Sequence, residues 1–342
     1  MNSSLILTPT TGMNYDQWLQ FRKRGVGASE VGAILGLSEY ESPMSVFYEK
    51  TSLNIMKRPE NFAMFMGKYS EDFIADLWEY WQGDDQTLMA NFNSGKKARR
   101  CQKVNAYIQN PKWKWLFVSL DRKINKNYFN GIQYDEGNLE LKNMSGYEVQ
   151  KWEFGIPASH LIQVQTQMGV CGFDYGELAI WKDGRQLAVH HFEFNKEIFE
   201  KIVDQTHDFW QRVEKAKILK SRIYEAEKGF NKRLVEELKS ELMQLEPEAD
   251  GNEDALSDFL TEKYKKGTAG ERIGLPEELN LAIKHSEGKK MIKDLQSKVL
   301  NYENQLKLQM REIECLNFGK DGKVHWSNSS NGSRIFRNNI KA

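Results

Sequence analysis

Cysteine is scarce. The three residues Cys101, Cys171 and Cys315 lie far apart and form no CxxC pair, which excludes a disulfide framework and a zinc knuckle and fits a reducing compartment. Long apolar runs are also missing. No window reaches eighteen uninterrupted apolar residues, and Met1–Thr11 carries only the short patch Leu5–Leu7 behind no basic lead. Neither a membrane span nor secretion is therefore expected, and the cytoplasm is the expected compartment. The six histidines show no HExxH spacing, and there is no P-loop or dinucleotide fingerprint, so zinc hydrolysis and nucleotide-driven work find no support. No internal repeat is seen. Finally, there is no excess of either charge: 48 Lys and Arg meet 48 Asp and Glu. A neutral sum removes the bulk signature of a nucleic-acid binder, but carboxylates gathered around a cation would offset a basic groove in such a count.

What is present suffices for one sizeable core and an appendage: 342 residues, 40% hydrophobic and 12% aromatic. Tyr15–Arg24, with Trp18, Leu19 and Phe21, reads as a short amphipathic helix running into the glycine-rich stretch 25–30. Ser29 is a candidate cap for a helix carrying Val31, Ile34 and Leu35, and Ser42-Pro43 opens another. Phe62–Trp81 repeats apolar residues at steps of three and four (Phe62, Phe65, Met66, Phe73, Ile74, Leu77, Trp81), a long helix with Glu71 inside it. After the basic run Lys96–Arg100 the period changes to that of strands at Lys103–Ile108, Trp115–Leu120, Leu139–Leu141 and Tyr147–Trp152. Pro157 starts a helix that ends near Gly169–Gly172; Glu177–Trp181 and Gln186–Phe192 form a hairpin turned by Asp183-Gly184; and Ile198–Ala226 is helical again. This order predicts an α/β domain over residues 1–226 with a mixed central sheet flanked by helices.

Beyond residue 226 the chain turns lysine- and glutamate-rich, and residues 227–342 read as a mainly helical interaction region. Within it Ile292, Leu295, Val299, Tyr302, Leu306, Gln309, Ile313 and Leu316 alternate in steps of three and four, a heptad-like stripe. Residues 323–326 and 334–336 suit a terminal hairpin.

The chemistry-bearing pattern is Ser119-Leu120-Asp121 at the end of one apolar strand, followed by Leu139-Glu140-Leu141-Lys142 in another. Alternation places Glu140 and Lys142 on one face of their strand and the two leucines on the other. Two carboxylates on adjacent strands, Asp121 and Glu140, can hold a hard cation for phosphodiester hydrolysis, and a lysine beside them can orient the attacking water. An isolated acid-x-lysine is common on exposed strands. Here it is accompanied by the upstream aspartate strand, by an acidic helix at Gly67–Glu71 and by an amide-rich helix at Gln163–Gln165. Trp113 and Trp115 alternate with lysines, and core packing explains them better than base stacking. The Lys96–Arg100 run reads more readily as a solvated loop than as a DNA contact.

At these residues the chain resembles the phage lambda exonuclease family of YqaJ-like viral recombinases, within the PD-(D/E)XK nucleases. The likeness spans roughly residues 14 to 210. Trp18 and Arg22 match its Trp-x-x-x-Arg start, Ala28-Ser29-Glu30 its small-Ser-acid turn, and Gly67 with Glu71 its helix. Ser119 with Asp121, Leu139–Lys142 and Gln163–Gln165 match the strands and the glutamine helix. The resemblance implies a restriction-endonuclease-like core in which Asp121, Glu140 and the main-chain carbonyl of Leu141 bind magnesium (manganese substituting), with Glu71 completing the site. It implies that Lys142 and Gln163 position the nucleophilic water and that Arg22, Ser29 and Ser119 hold a DNA phosphate. One extra residue before the glycine turn makes Arg24 a second candidate for that phosphate, and Leu120 replaces a familiar proline. The insertion Asn125–Gly137 exceeds what the family needs.

The expected function is thus a magnesium-dependent exonuclease on double-stranded DNA ends, 5′ to 3′ by resemblance, making single strands for recombination in a bacterial or phage-infected cell. By the same likeness it would form a homo-oligomeric ring trimer and work with a single-strand annealing protein. The rival readings are a catalytically silent DNA-binding or assembly module and an endonuclease on the same fold.

Overall fold

The computed structural model describes residues 5–52, 61–146, 148, 152, 155–248, 253–265, 273–329 and 332–340. The chain separates into two compact units, Met1–Lys265 and Lys266–Ala342. In the first, chain order runs β1 (Ile6–Pro9), α1 (Tyr15–Arg22), β2 (Val26–Gly27), α2 (Ala28–Ile34), α3 (Pro43–Thr51), α4 (Phe62–Tyr80) and α5 (Asp85–Ser94). It continues through β3 (Cys101–Gln102), β4 (Ala106–Gln109), β5 (Leu116–Val118), β6 (Arg122–Ile124), β7 (Asn127–Phe129), β8 (Ile132–Tyr134) and β9 (Gly137–Met144). Then come α6 (Ala158–Cys171), β10 (Tyr175–Lys182), β11 (Gln186–Glu193), α7 (Lys196–Lys228), α8 (Lys232–Gln244) and α9 (Glu253–Lys263). The strand expected at Tyr147–Trp152 falls largely outside the described residues.

The architecture is mixed α/β, as expected, but the strands form more than one sheet. One has the order β1-β4-β5-β2 and another β11-β10-β9-β6-β3. Consecutive strands β5 and β6 thus belong to different sheets, and the chain passes between them at Ser119–Asp121. Only β9 and β10 run parallel in the second sheet, with α6 as their crossover, while β10 and β11 form the expected hairpin. Its Asp183 and Gly184 both have positive φ, the backbone of a tight two-residue turn. The insertion 125–137 resolves in the same way into the small hairpin β7–β8, turned by Asn130-Gly131.

Two cores flank the site. Val31, Phe47, Ile108, Leu116, Val118, Met168, Ile202 and Val213 bury between α2, α3, α6, α7 and the first sheet. Ile74, Trp78, Ile124, Leu139, Leu141 and Leu187 bury between α4 and the second sheet. Removing a fully buried ring such as Trp78 would cost about 3–5 kcal/mol. The inward leucines of β9 are the ones alternation predicts, which leaves Glu140 and Lys142 on the opposite face. Trp113 and Trp115 pack against α7, the first edge-on to Phe199 and the second beside His207, as core packing predicts.

Three local details differ from expectation. The cap of α2 is Gly27, not Ser29; the Glu30 carboxylate accepts the Gly27 N–H at 2.8 Å and takes over the capping role, leaving Ser29 exposed in the first turn. The period of α4 is right but the packed face is not. Ser70, Ile74, Ala75 and Trp78 turn inward, while Phe62, Phe65 and Phe73 lie exposed on the other side. The helix α5 was not read from the sequence because its apolar residues are few; Asp84 caps it and Gly95, at φ 67°, ends it.

The composition change at residue 226 is not where packing divides. Leu219, Ile223 and Ala226 of α7 bury against Leu238 of α8, and Tyr48 of α3 donates a hydrogen bond to Glu246.

The second unit holds α10 (Pro276–Met310), β12 (Cys315–Asn317), β13 (Gly322–Asn328) and β14 (Arg334–Ile340). The expected hairpin is present, widened by β12 to a three-stranded sheet. The helix stops at Met310, so Ile313 and Leu316 fall outside the stripe and Leu316 lies in β12. No helix among the described residues is long and apolar enough to cross a membrane.

Candidate active site

Asp121 sits at the corner where the chain leaves the first sheet and enters the second. Its carboxylate accepts the Leu141 N–H at 2.9 Å, which locks the corner onto β9. An extended residue turns its N–H and C=O toward the same side, so the Leu141 carbonyl faces the Asp121 edge as well. Glu140, buried, accepts Lys142 Nζ at 2.7 Å and Gln163 Nε2 at 2.7 Å on one oxygen, and Gln167 Nε2 at 2.8 Å on the other. Gln167 also donates to the Ser119 carbonyl and accepts from Asn138, tying the corner, β9 and α6 together.

Sequence reading found Gln163 but not Gln167. The signal was there, because residues four apart share a helix face. Gln165 lies on the opposite face and grips the β11–α7 junction, donating to Glu193 O and accepting Asn195 N–H, each at 2.8 Å.

Glu71, half-buried on α4, comes within the field of this cluster. Burial raises its carboxyl above the usual range, and Glu140 and Asp72 add to that against the pull of Lys103 and Arg122. Asp72 pairs with Arg122 and so docks α4 on β6. Withdrawal from water, and after it the charge of Glu140, pushes Asp121 up to about 8. Burial works against the charge on Lys142, but Glu140, Asp121 and Glu71 hold it above the ordinary lysine value. The donors available to a cation are oxygens: Asp121, Glu140 and the Leu141 carbonyl, with Glu71 behind. Among the described residues no three His, Cys, Asp or Glu side chains converge into a complete cage. His160, which the sequence did not single out, lies close by. Burial and the Lys142 charge push it down to about 4, so its ring is neutral.

A cleft of about 180 Å³ opens from Asp121 and Gln163 toward Ser119, Ser29 and Arg22, walled by Trp18, Tyr107 and Phe117. Arg22 lies over the Trp18 ring at 4.9 Å and pairs with Glu30, which also accepts Lys50 Nζ at 2.8 Å. Burial alone would raise the Glu30 carboxyl, but Arg22 and Lys50 pull it down to about 2. Gly25 lets this wall form, since a Cβ there would stand 2.4 Å from the Trp115 carbonyl. Two buried polar atoms at the cleft have no partner, Arg22 Nε and the Tyr107 hydroxyl. Tyr107 was missed because a tyrosine in an apolar strand reads as core. Arg24 is not among the lining residues; it is exposed and lies over Phe21. The basic run stays apart too: Lys97 pairs with Asp76 and Glu79, and Arg99 is buried over Trp78 and bonded to Glu177 at 2.6 Å.

An α/β domain with an aspartate at a sheet corner facing an acid-x-lysine strand is of the PD-(D/E)XK class. Within that class the chain carries a YqaJ-like viral recombinase domain, matched over residues 17–174. It is 26% identical to the uncharacterized protein YqaJ of Bacillus subtilis strain 168 over 313 residues, 90% of this chain and 82% of the relative. Among solved structures it is similar to an alkaline exonuclease from Laribacter hongkongensis (18% identity, 60% of this chain and 96% of that one, TM-score 0.46). A phage-related exonuclease from Haemophilus somnus 129PT matches at 10% identity, 57% of this chain and 97% of that one, with a TM-score of 0.34.

Proposed function

We propose that this protein is a magnesium-dependent exonuclease, with manganese able to substitute, that hydrolyses duplex DNA from its ends, 5′ to 3′, and leaves single strands for recombination. The observation that carries this reading is the gathering of Asp121, Glu140, Lys142 and Gln163 at the mouth of a cleft whose far wall holds unpartnered cationic and hydroxyl donors.

The residues fit the ion. Asp121 and Glu140 are carboxylates under mutual repulsion, a state that a divalent cation relieves, and magnesium takes one or two carboxylates while keeping waters of its own. Asp121, Glu140 and the Leu141 carbonyl hold it, with Glu71 as support. When bound, the ion supplies Lewis acidity at the scissile phosphate. Lys142 and Gln163, both anchored on Glu140, orient the attacking water and steady its deprotonated form. Arg22 Nε, the Tyr107 hydroxyl, Ser29 and Ser119 take the terminal phosphate, and buried donors of this kind are normally satisfied by a ligand or water. The remaining single strand is what a single-strand annealing protein, the partner this reading implies, would bind.

The test is digestion of linear and closed-circular duplex DNA with magnesium, with and without chelator, by wild type and Lys142→Ala. Metal-dependent release of nucleotides from linear DNA alone, lost in the variant, is the expected result. Cutting of circles would make the protein an endonuclease, and no cleavage of either substrate would make it a binding module.

A further inference from the structure

The long helix α10 carries an apolar seam that its own unit leaves uncovered. In heptad terms Ile292, Val299 and Leu306 fall at a positions and Leu295, Tyr302 and Gln309 at d positions. Ile292, Leu295, Val299 and Tyr302 are 56%, 59%, 63% and 64% exposed. Toward the C-terminal end the three-stranded sheet takes over. Met310 is buried and Leu306 half-buried, Lys307 lies beside the Trp326 and Phe336 rings, and Arg334 bonds to the Arg311 and Ile313 carbonyls. The sheet thus anchors one end of the helix, and the turns before it present bare side chains.

We propose that this seam is where a second copy of the same chain docks, the two α10 helices pairing in parallel as a two-stranded coiled coil. Two features select that occupant. First, β-branched Ile292 and Val299 at a with Leu295 at d is the combination that favours two parallel strands over three or four. Second, the flanking charges are self-complementary in that arrangement and no other partner is needed to supply them. Lys298 occupies a g position and Glu303 the following e position, the pair that meets across a parallel, in-register dimer. Gln309 at the last d position and the covering sheet limit the seam to few layers, so the pairing is concentration-dependent rather than permanent.

The test is sedimentation of the full chain over a concentration series, with three variants. The expected result is a mass moving from one chain to two as concentration rises, with Leu295→Asp raising the dissociation constant at least about tenfold while circular dichroism stays unchanged, because the position is exposed in a single chain. Lys298→Glu should weaken the pairing and Lys298→Glu with Glu303→Lys should restore it. Val299→Cys should form an interchain disulfide on mild oxidation beyond any that wild type forms, since a positions face each other only in parallel register. A single-chain mass at every concentration overturns the proposal. So does an assembly of any size that survives Leu295→Asp, because its contacts then lie elsewhere. A three-chain mass overturns the two-stranded pairing, and a charge swap that fails to restore association overturns the parallel register. None of these readouts depends on nuclease activity.

Discussion

Glu30 and Asp121 both stand at the cleft, one behind its far wall and one in its floor, and they occupy opposite ends of the acid scale. Glu30 is surrounded by cations of its own chain: Arg22 pairs with it and Lys50, fully buried, bonds to it at 2.8 Å, so its carboxyl is pulled down to about 2 in spite of burial. Asp121 has another carboxylate, Glu140, as its main charged neighbour and only one backbone N–H in return, and it is pushed up to about 8. The difference separates two uses of one functional group. A carboxylate whose counter-charge is built into the fold serves as scaffold, here fixing the guanidinium of Arg22. A carboxylate left under-compensated is a place where charge must come from outside.

That contrast can be broken at several points. The largest effect should come from Asp121→Ala or Glu140→Ala: each should lower cleavage of linear DNA by more than about 10³-fold, on the scale of a lost metal ligand, with the circular dichroism spectrum retained. Full activity in both would remove the site. Next is Glu30→Gln, which strands buried Lys50 and should cost about 3–5 kcal/mol, read as a large fall in Tm; a change too small to measure would mean that Glu30 is no scaffold. Tyr107→Phe should lower cleavage of 5′-phosphorylated ends by about tenfold, the worth of one hydrogen bond to a charged group, and leave unphosphorylated ends nearly untouched. Equal losses on the two substrates would assign the hydroxyl elsewhere.

A subtler sharpening uses pH. The Asp121 carboxyl holds its proton more tightly folded than unfolded, so over the window from the ordinary carboxylate range up to about 8 the native state binds more protons. Stability in chelator should therefore fall as pH rises through that window, and Asp121→Asn should flatten the trend. A slope unchanged in the variant would show that another group titrates. The smallest effect is expected for Arg24→Ala, whose guanidinium lies over Phe21 outside the cleft; a loss as large as that of Arg22→Ala would show that Arg24 holds the phosphate.

How much of this could be read from residues alone depended on the range of the interaction. The helices α1 to α4, the hairpin turned by Asp183-Gly184 and the inward leucines of β9 follow from local periodicity and turn chemistry, and the Asp121, Glu140 and Lys142 pattern came with them. What was not legible is what depends on distant partners. The split of β5 and β6 into two sheets is decided by which strands they meet, not by their own three-residue sequences. Glu30 read as one acid in a turn, although its role is set by Lys50 twenty residues on and by Arg22 eight residues back. The arginine in the run 96–100 looked available until Glu177 and Trp78 were placed beside it.

The crossover helix α6 is pinned on two opposite flanks, Gln163 and Gln167 on the Glu140 side and Gln165 on the β11–α7 side. Such a rod has one permitted angular setting. With consecutive residues about 100° apart around the axis, a small roll that loosened Gln165 would swing both amides off Glu140 together, so the 33-residue α7, rooted at that same junction, acts as a lever arm whose strain is felt as rotation at the acid.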